Sequence, residues 1–167
     1  MNDILLSPHF ELREFVVSQT ARDHGLDNTP PAEAVENLRA LCVHTLEPLR
    51  EALGLPIIIT SGYRTRELNH LLVQHSNKSQ HMNGEAADFV VQGSKVKVQG
   101  ESRRELLIKA FRTIILNENI DFDQLIIYPS FIHVSYTNRR KNRQKLTRAF
   151  SNGSYCALTR AQALALE

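Results

Sequence analysis

Ser79-Gln80-His81-Met82-Asn83-Gly84-Glu85-Ala86-Ala87-Asp88 runs directly into the apolar segment Phe89-Val90-Val91. The stretch sets a histidine and an aspartate seven positions apart, with a glycine between them. Residues 86–91 read as a strand, so Asp88 falls where a buried side chain is expected. A buried carboxylate is costly unless a cation or several donors meet it. A second apolar run, Phe131-Ile132-His133-Val134-Ser135-Tyr136, puts His133 in the same position. The two-residue period of a strand places Ala86, Asp88 and Val90 on one face, and Phe131, His133 and Ser135 on one face of the other. If the two strands are neighbours, Asp88 and His133 look into one cleft. His81 reaches it from the loop before Gly84, whose missing Cβ allows a tight backbone path into the strand. Two imidazoles and one carboxylate give three donors with a fourth position open, the pattern of a catalytic zinc site rather than a closed structural one. The same residues also fit a plainer arrangement: a histidine hydrogen-bonded in a core and an aspartate satisfied by backbone amides.

Outward from this stretch, the pattern alternates short strands and amphipathic helices. A short helix is expected over 10–18, after Ser7-Pro8, and a loop of turn formers over 25–31. Leu38, Leu41, Cys42, Leu46, Leu49 and Leu53 recur at three- and four-residue steps and predict a long helix. Pro48 should kink it and Gly54 should stop it. Pro56-Ile57-Ile58-Ile59-Thr60 reads as a central strand, followed by the turn Ser61-Gly62-Tyr63-Arg64 and a short helix over 67–73. A polar connection over 92–100 leads to a helix built on Leu106, Leu107, Ala110, Phe111, Ile114 and Ile115, then to a hairpin across Pro129-Ser130. The fold class is α+β, a small antiparallel sheet with helices packed on it. Residues 1–137 are expected to form one domain, and 138–167 a basic C-terminal extension, partly ordered or packed on it.

The 167 residues, 42% hydrophobic and 23% charged, belong to a globular chain with a sizeable core. A net charge of +2 does not imply nucleic acid as a partner. No apolar run reaches the length of a membrane span, and the first residues lack the charged and apolar regions of a signal peptide, so a cytoplasmic monomer is expected. Two cysteines, Cys42 and Cys156, exclude a disulfide framework and a cysteine-based zinc site.

Ser79-x-His81-x-x-Gly84-x-Ala86-x-Asp88, with Ile132-His133-Val134 downstream, resembles the zinc D-Ala-D-Ala carboxypeptidase family, of hedgehog/DD-peptidase fold, which includes peptidoglycan endopeptidases of phage lysins. Leu6-Ser7-Pro8-His9-Phe10, Asn28-Thr29-Pro30-Pro31, Ser61-Gly62-Tyr63-Arg64, Asn69 and Asp123-Gln124-Leu125 look like one branch of it, so the match runs from about Leu5 to Tyr136. The resemblance implies a zinc metallopeptidase acting on D-amino-acid-containing bonds of peptidoglycan stem peptides, with His81, Asp88 and His133 as Zn2+ ligands. It implies that Arg64 holds the substrate carboxylate or polarises its carbonyl, a task for a planar donor; by composition alone Arg64 fits a surface salt bridge equally well. Ser79 either contacts substrate or orders its loop. Such an enzyme would reach the wall through a holin-type pore or on a virion.

The pattern departs from the family at the general base that amide hydrolysis requires. One branch has a glutamate three residues before the last histidine, where this chain has Ser130; another has a histidine two before, where it has Phe131. Asp123, Glu85 and Tyr128 are the substitutes by proximity in sequence, and Asp123 fits a capping role as well. The vacancy keeps a second function open, a zinc-containing module that binds cell wall or a partner protein without cleaving it. His9, His24, His44, His70 and His75 lack partners at ligand spacing. The run Arg139, Arg140, Lys141, Arg143, Lys145 and Arg148 reads first as a solvated surface segment and second as an attractor of anionic polymer.

Overall fold

The computed structural model describes residues 4–72, 76–93 and 102–167. The chain opens with a small antiparallel pair, β1 (Leu5–Ser7) and β2 (Phe10–Glu11). Helices α1 (Leu12–Val16) and α2 (Gln19–Asp23) follow. The single helix expected over 10–18 is thus a strand residue pair plus one turn and a half of helix. The long leucine-patterned helix is α3 (Ala32–Leu41), a π turn over Cys42–Leu46, and α4 (Glu47–Leu53), which ends at Gly54. Pro48 explains the π turn: with no N–H to give, it leaves the carbonyl four residues earlier without its helical donor. That carbonyl, of His44, accepts instead from the backbone N–H of Asp121 at 3.1 Å, and Thr45 Oγ1 donates to the Asp121 carbonyl at 2.6 Å. The interruption therefore docks a distant loop.

Next come β3 (Ile57–Ser61), α5 (Arg66–Leu71), a 3-10 turn over Gln80–Asn83 and β4 (Ala86–Val91). After α6 (Arg103–Leu116) the hairpin β5 (Gln124–Ile127) and β6 (Ile132–Ser135) forms as the sequence predicts. The chain continues through β7 (Lys145–Ala149), β8 (Tyr155–Ala157) and α7 (Arg160–Leu164). Strands β3 to β8 make one six-stranded sheet in the order β3-β4-β6-β5-β7-β8, antiparallel except for the parallel β5–β7 pair.

One strand differs from the sequence reading. The isoleucine run expected to be central is an edge strand, because it pairs only with β4, and Ile58 is exposed on the face of β3 turned away from the core. The segment 138–167 contributes two strands to the sheet, β7 along β5 and β8 along β7, and its helix α7 packs against α6 and β7. Most of the expected connection over 92–100, and His75, lie outside the described residues.

One core joins Leu38, Leu46, Phe89, Phe111, Leu125 and Val134 with Leu146 of β7. Alternation sends Phe89, Leu125, Val134 and Leu146 to the helix-covered face and leaves the opposite face for polar groups. In register across that second face lie Asp88, His133, Ile126 and Thr147. Gly84 sets the entry to β4: it has φ +71° and packs so closely on α3 that a Cβ would lie 2.3 Å from the Ala34 carbonyl oxygen. Gly25 has a similar φ of +61° with open space around it. Gly25→Ala should therefore cost about 1–2 kcal/mol from backbone strain alone. Gly84→Ala should cost a further 1–3 kcal/mol or so, because backbone rather than a flexible side chain must move. Urea denaturation of the two variants measures the difference.

Candidate metal centre

Asp88 and His133 are direct cross-strand partners on β4 and β6, which puts their side chains side by side on the polar face. His81 hangs over them from the 3-10 turn. His133 Nδ1 lies 2.8 Å from Asp88 Oδ1, His81 Nε2 lies 3.2 Å from His133 Nδ1, and His81 Nε2 lies 3.4 Å from Asp88 Oδ1. These three atoms form the His81–Asp88–His133 candidate metal site. Zinc bond lengths near 2.0–2.1 Å in tetrahedral geometry separate neighbouring donor atoms by about 3.3 Å, so the triangle suits such an ion.

The surroundings prepare the donors. The Gly62 carbonyl can only accept, so His81 Nδ1 carries the proton and donates to it at 2.6 Å, leaving Nε2 with its lone pair toward Asp88 and His133. Burial pushes the His81 imidazole below its ordinary pKa, against the pull of Asp88, and keeps it neutral as a ligand must be. For Asp88 burial acts the other way, but the groups that meet its oxygens, His133 among them, outweigh it and hold the carboxyl far below the usual carboxylate range. Its second oxygen, Oδ2, accepts from Arg64 Nη2 at 3.0 Å, which reserves Oδ1 for the centre.

Arg64 is itself fixed from several sides. Ser61 Oγ accepts from its Nε and Nη2, and its backbone N–H donates to the His81 carbonyl at 3.2 Å. Asn28 braces both flanks of Arg64, donating to the Tyr63 carbonyl at 3.0 Å and accepting from the Thr65 N–H at 2.9 Å. Nothing in the sequence read alone gives Asn28 this job; only its recurrence in the flanking family pieces marks it.

The centre opens on a cleft of about 800 Å³ lined on one side by Ser79, Gln80 and Asn69, and on the other by Gln124, Tyr128 and Thr147. The substitutes for a general base stand as follows. Ser130 sits exposed at the hairpin, and Phe131 stacks on Tyr128 with centroids 4.2 Å apart. Burial and the Tyr155 hydroxyl push the Tyr128 phenol well above its ordinary pKa, so it is a hydrogen-bond donor and not a base. Glu85 is fully buried and held by Arg139 and Thr137. Asp123 is fully buried beneath Arg140 and Arg143, which donate to both of its oxygens at 2.6–3.2 Å. Both oxygens of Asp123 are thus committed to Arg140 and Arg143, and the carboxylate anchors that segment. Asp88 is the only carboxylate among the described residues lining the cleft.

Among the described residues, the other histidines are engaged elsewhere: His24 contacts the Thr20 carbonyl at 2.9 Å and His70 lies 3.2 Å from Asn77 Oδ1. His9 meets Glu47 at 3.0 Å, and His44 stacks on Tyr136.

The family model for Peptidase M15 matches residues 8–135, well over half of the chain. The chain belongs to the peptidase M15 family. M15 peptidases are zinc metallopeptidases of the D-Ala-D-Ala carboxypeptidase type, and the donor set at the candidate centre fits that metal. No curated protein matches the chain. The M15 match covers all three donors and Arg64 but ends before the Arg139–Lys145 segment that completes the cleft.

The arginine clamp on Asp123 makes stability depend on acid. Burial opposes ionisation, but Arg140 and Arg143 hold its folded pKa far below the unfolded value near 3.9. The clamp's contribution is present above that value and is lost as pH falls below it toward the folded pKa. Asp123→Asn should lose about 1–3 kcal/mol at neutral pH and decline less steeply between about pH 4 and pH 2 than the parent. Denaturant titrations across that range check both slopes.

Proposed function

We propose that the chain is a zinc-dependent peptidase that hydrolyses D-amino-acid-containing peptide bonds of peptidoglycan stem peptides. The observation that carries this reading is the three-donor set of His81, Asp88 and His133, oriented by Gly62 and Arg64, at the floor of an open cleft. Zinc held there would supply Lewis acidity toward the scissile carbonyl and an acidified water. Arg64 keeps Asp88 Oδ2 engaged with one edge of its guanidinium and presents the other edge to the substrate, as a planar fork can and a lysine cannot. Tyr128, held protonated, donates a hydrogen bond from the opposite wall. Ser79 and Gln80 offer further polar groups beside His81. No helix among the described residues is long and apolar enough to cross a membrane.

One observation favours a second reading, a wall-binding module with the same centre and no turnover: the described cleft residues provide no carboxylate besides Asp88 to act as base. The two readings part on products. The peptidase reading expects about one equivalent of zinc by elemental analysis and new amino or carboxyl termini in a muropeptide digest. Zinc and wall binding with no product after long incubation would favour the module.

His81→Ala should lose both the metal and at least about a hundredfold of activity. Undiminished hydrolysis by that variant, with no metal in the parent, would sink the zinc reading. Arg64→Lys should keep the metal yet lose about a hundredfold or more in kcat/KM, because the fork is replaced by a point charge.

A further inference from the structure

Beyond the metal centre, the cleft has a second built wall that the family match does not include. It consists of the segment Arg139–Lys145 and strand β7, both after residue 135. Arg139, Arg140, Arg143 and Lys145 all face the cleft, while the carboxylates behind them, Glu85 and Asp123, are fully enclosed. Four cations stand over two anions, so the wall keeps a surplus of positive charge. Arg140 and Arg143 share the single carboxylate of Asp123 and remain about half exposed, at 44% and 51% of their side-chain surface. The buried pairing fixes the guanidinium groups without neutralising them both.

Below this wall lies Thr147. It is buried to 5% of its accessible surface, it lines the cleft, and its Oγ1 has no hydrogen-bond partner. A buried hydroxyl without a partner is costly, and a ligand that supplies an acceptor removes the penalty. Lys145 and Thr147 stand on the same face of β7, two residues apart, opposite Gln124 and Ile126 of β5. His133 is the register partner of Ile126 on the next strand. Thr147 is therefore two strand spacings from His133, roughly 10 Å, the reach of about three extended residues.

We infer that this wall is a subsite for a free carboxylate of the peptide substrate, placed about three residues from the bond positioned at His81, Asp88 and His133. Lys145 and the outward edges of Arg140 and Arg143 meet the charge, and Thr147 donates to one oxygen. The ligand class is an acidic peptide lying across the sheet, so the cleft selects stems that carry an unamidated acid at that distance. The inference rests on the peptidase reading for the ligand being a peptide, and its binding test does not require hydrolysis.

The test uses the full chain with and without zinc and three synthetic D-Ala-containing peptides. One carries a free side-chain carboxylate three residues from the D-Ala bond, one its amide, and one the carboxylate moved next to that bond. Calorimetry on the zinc-free protein should show about tenfold tighter binding of the first peptide than of the other two. The preference should fall to near unity in Lys145→Met and in Thr147→Val, which removes the hydroxyl at almost constant shape; circular dichroism verifies that each variant is folded. With zinc, the same preference should appear in KM more than in kcat. Equal binding of the three peptides, or a preference that survives both folded variants, overturns the subsite. If the acid preference is present but no peptide is cleaved, the subsite stands and the peptidase reading fails. If all three peptides are cleaved without preference, the peptidase reading stands and the subsite fails.

Discussion

An ionised carboxylate held out of water needs every oxygen met, and Asp88 is met from three separate elements. His133 comes from the neighbouring strand, Arg64 from the turn after β3, and His81 from the 3-10 turn that precedes Asp88 in the chain. Much of the local backbone serves that convergence. A bulge between Ile59 and Ser61 shifts the register of β3 so that Ser61 faces Asp88, and Ser61 Oγ then accepts from Arg64. The antiparallel register of β4 and β6 cannot slip by one residue, because Phe89 would enter the cleft and Asp88 the core. The apolar side of the sheet thus fixes the polar side. Burial of Phe89, Val134 and Leu125 determines where the donors point, and the donors contribute little to holding the sheet together.

The same physics is used twice more, for structure. Glu85 and Asp123 are also fully buried carboxylates, each at the start of a strand of the sheet and each answered by arginine. Asp123 ties down more than a charge. Its side chain accepts from the Arg143 backbone N–H, and its own carbonyl accepts from the Lys145 N–H at 3.0 Å, which begins the parallel pairing of β7 on β5. A positive φ at Gln144 lies between those two contacts, so the turn into β7 is set by the aspartate rather than by a glycine. Arginine suits the role, since its fork satisfies both oxygens while about half of its surface stays in water.

What the sequence reveals follows from the range of each interaction. Asp88 and His133 are legible because a period of two residues assigns faces without knowledge of the neighbours, and the 3.6-residue period does the same for α3, α4 and α6. His81 is legible from its place in the loop before Gly84. The role of Arg139–Arg143 is not legible in that way. Their partners lie 17 to 54 positions away in the chain, and a basic run without visible acids reads as solvent-facing. Asn28 and the His44 carbonyl escape for the same reason, since each acts through a backbone group brought near only by the fold. The three isoleucines of β3 mislead in the opposite direction. Their composition suits a central strand, but position in the sheet depends on which strand finds a second partner, and β3 pairs only with β4.

The charge arrangement of the cleft follows from these commitments. Arg64 is already engaged with Asp88, so its charge is largely answered within the centre. Attraction of an anionic peptide must then come from groups whose partners leave a surplus. The wall beyond residue 135 meets that condition, since Asp123 alone serves two guanidinium groups and Lys145 stands beside them. At the centre itself the M15 portion supplies groups that are neutral or balanced, and four of the cleft's cations, Arg139, Arg140, Arg143 and Lys145, come from the C-terminal portion. Separating the two functions has a physical advantage. A further cation at Asp88 Oδ1 would compete with a metal ion for that oxygen, whereas cations roughly two strands away add positive charge to the cleft without occupying it.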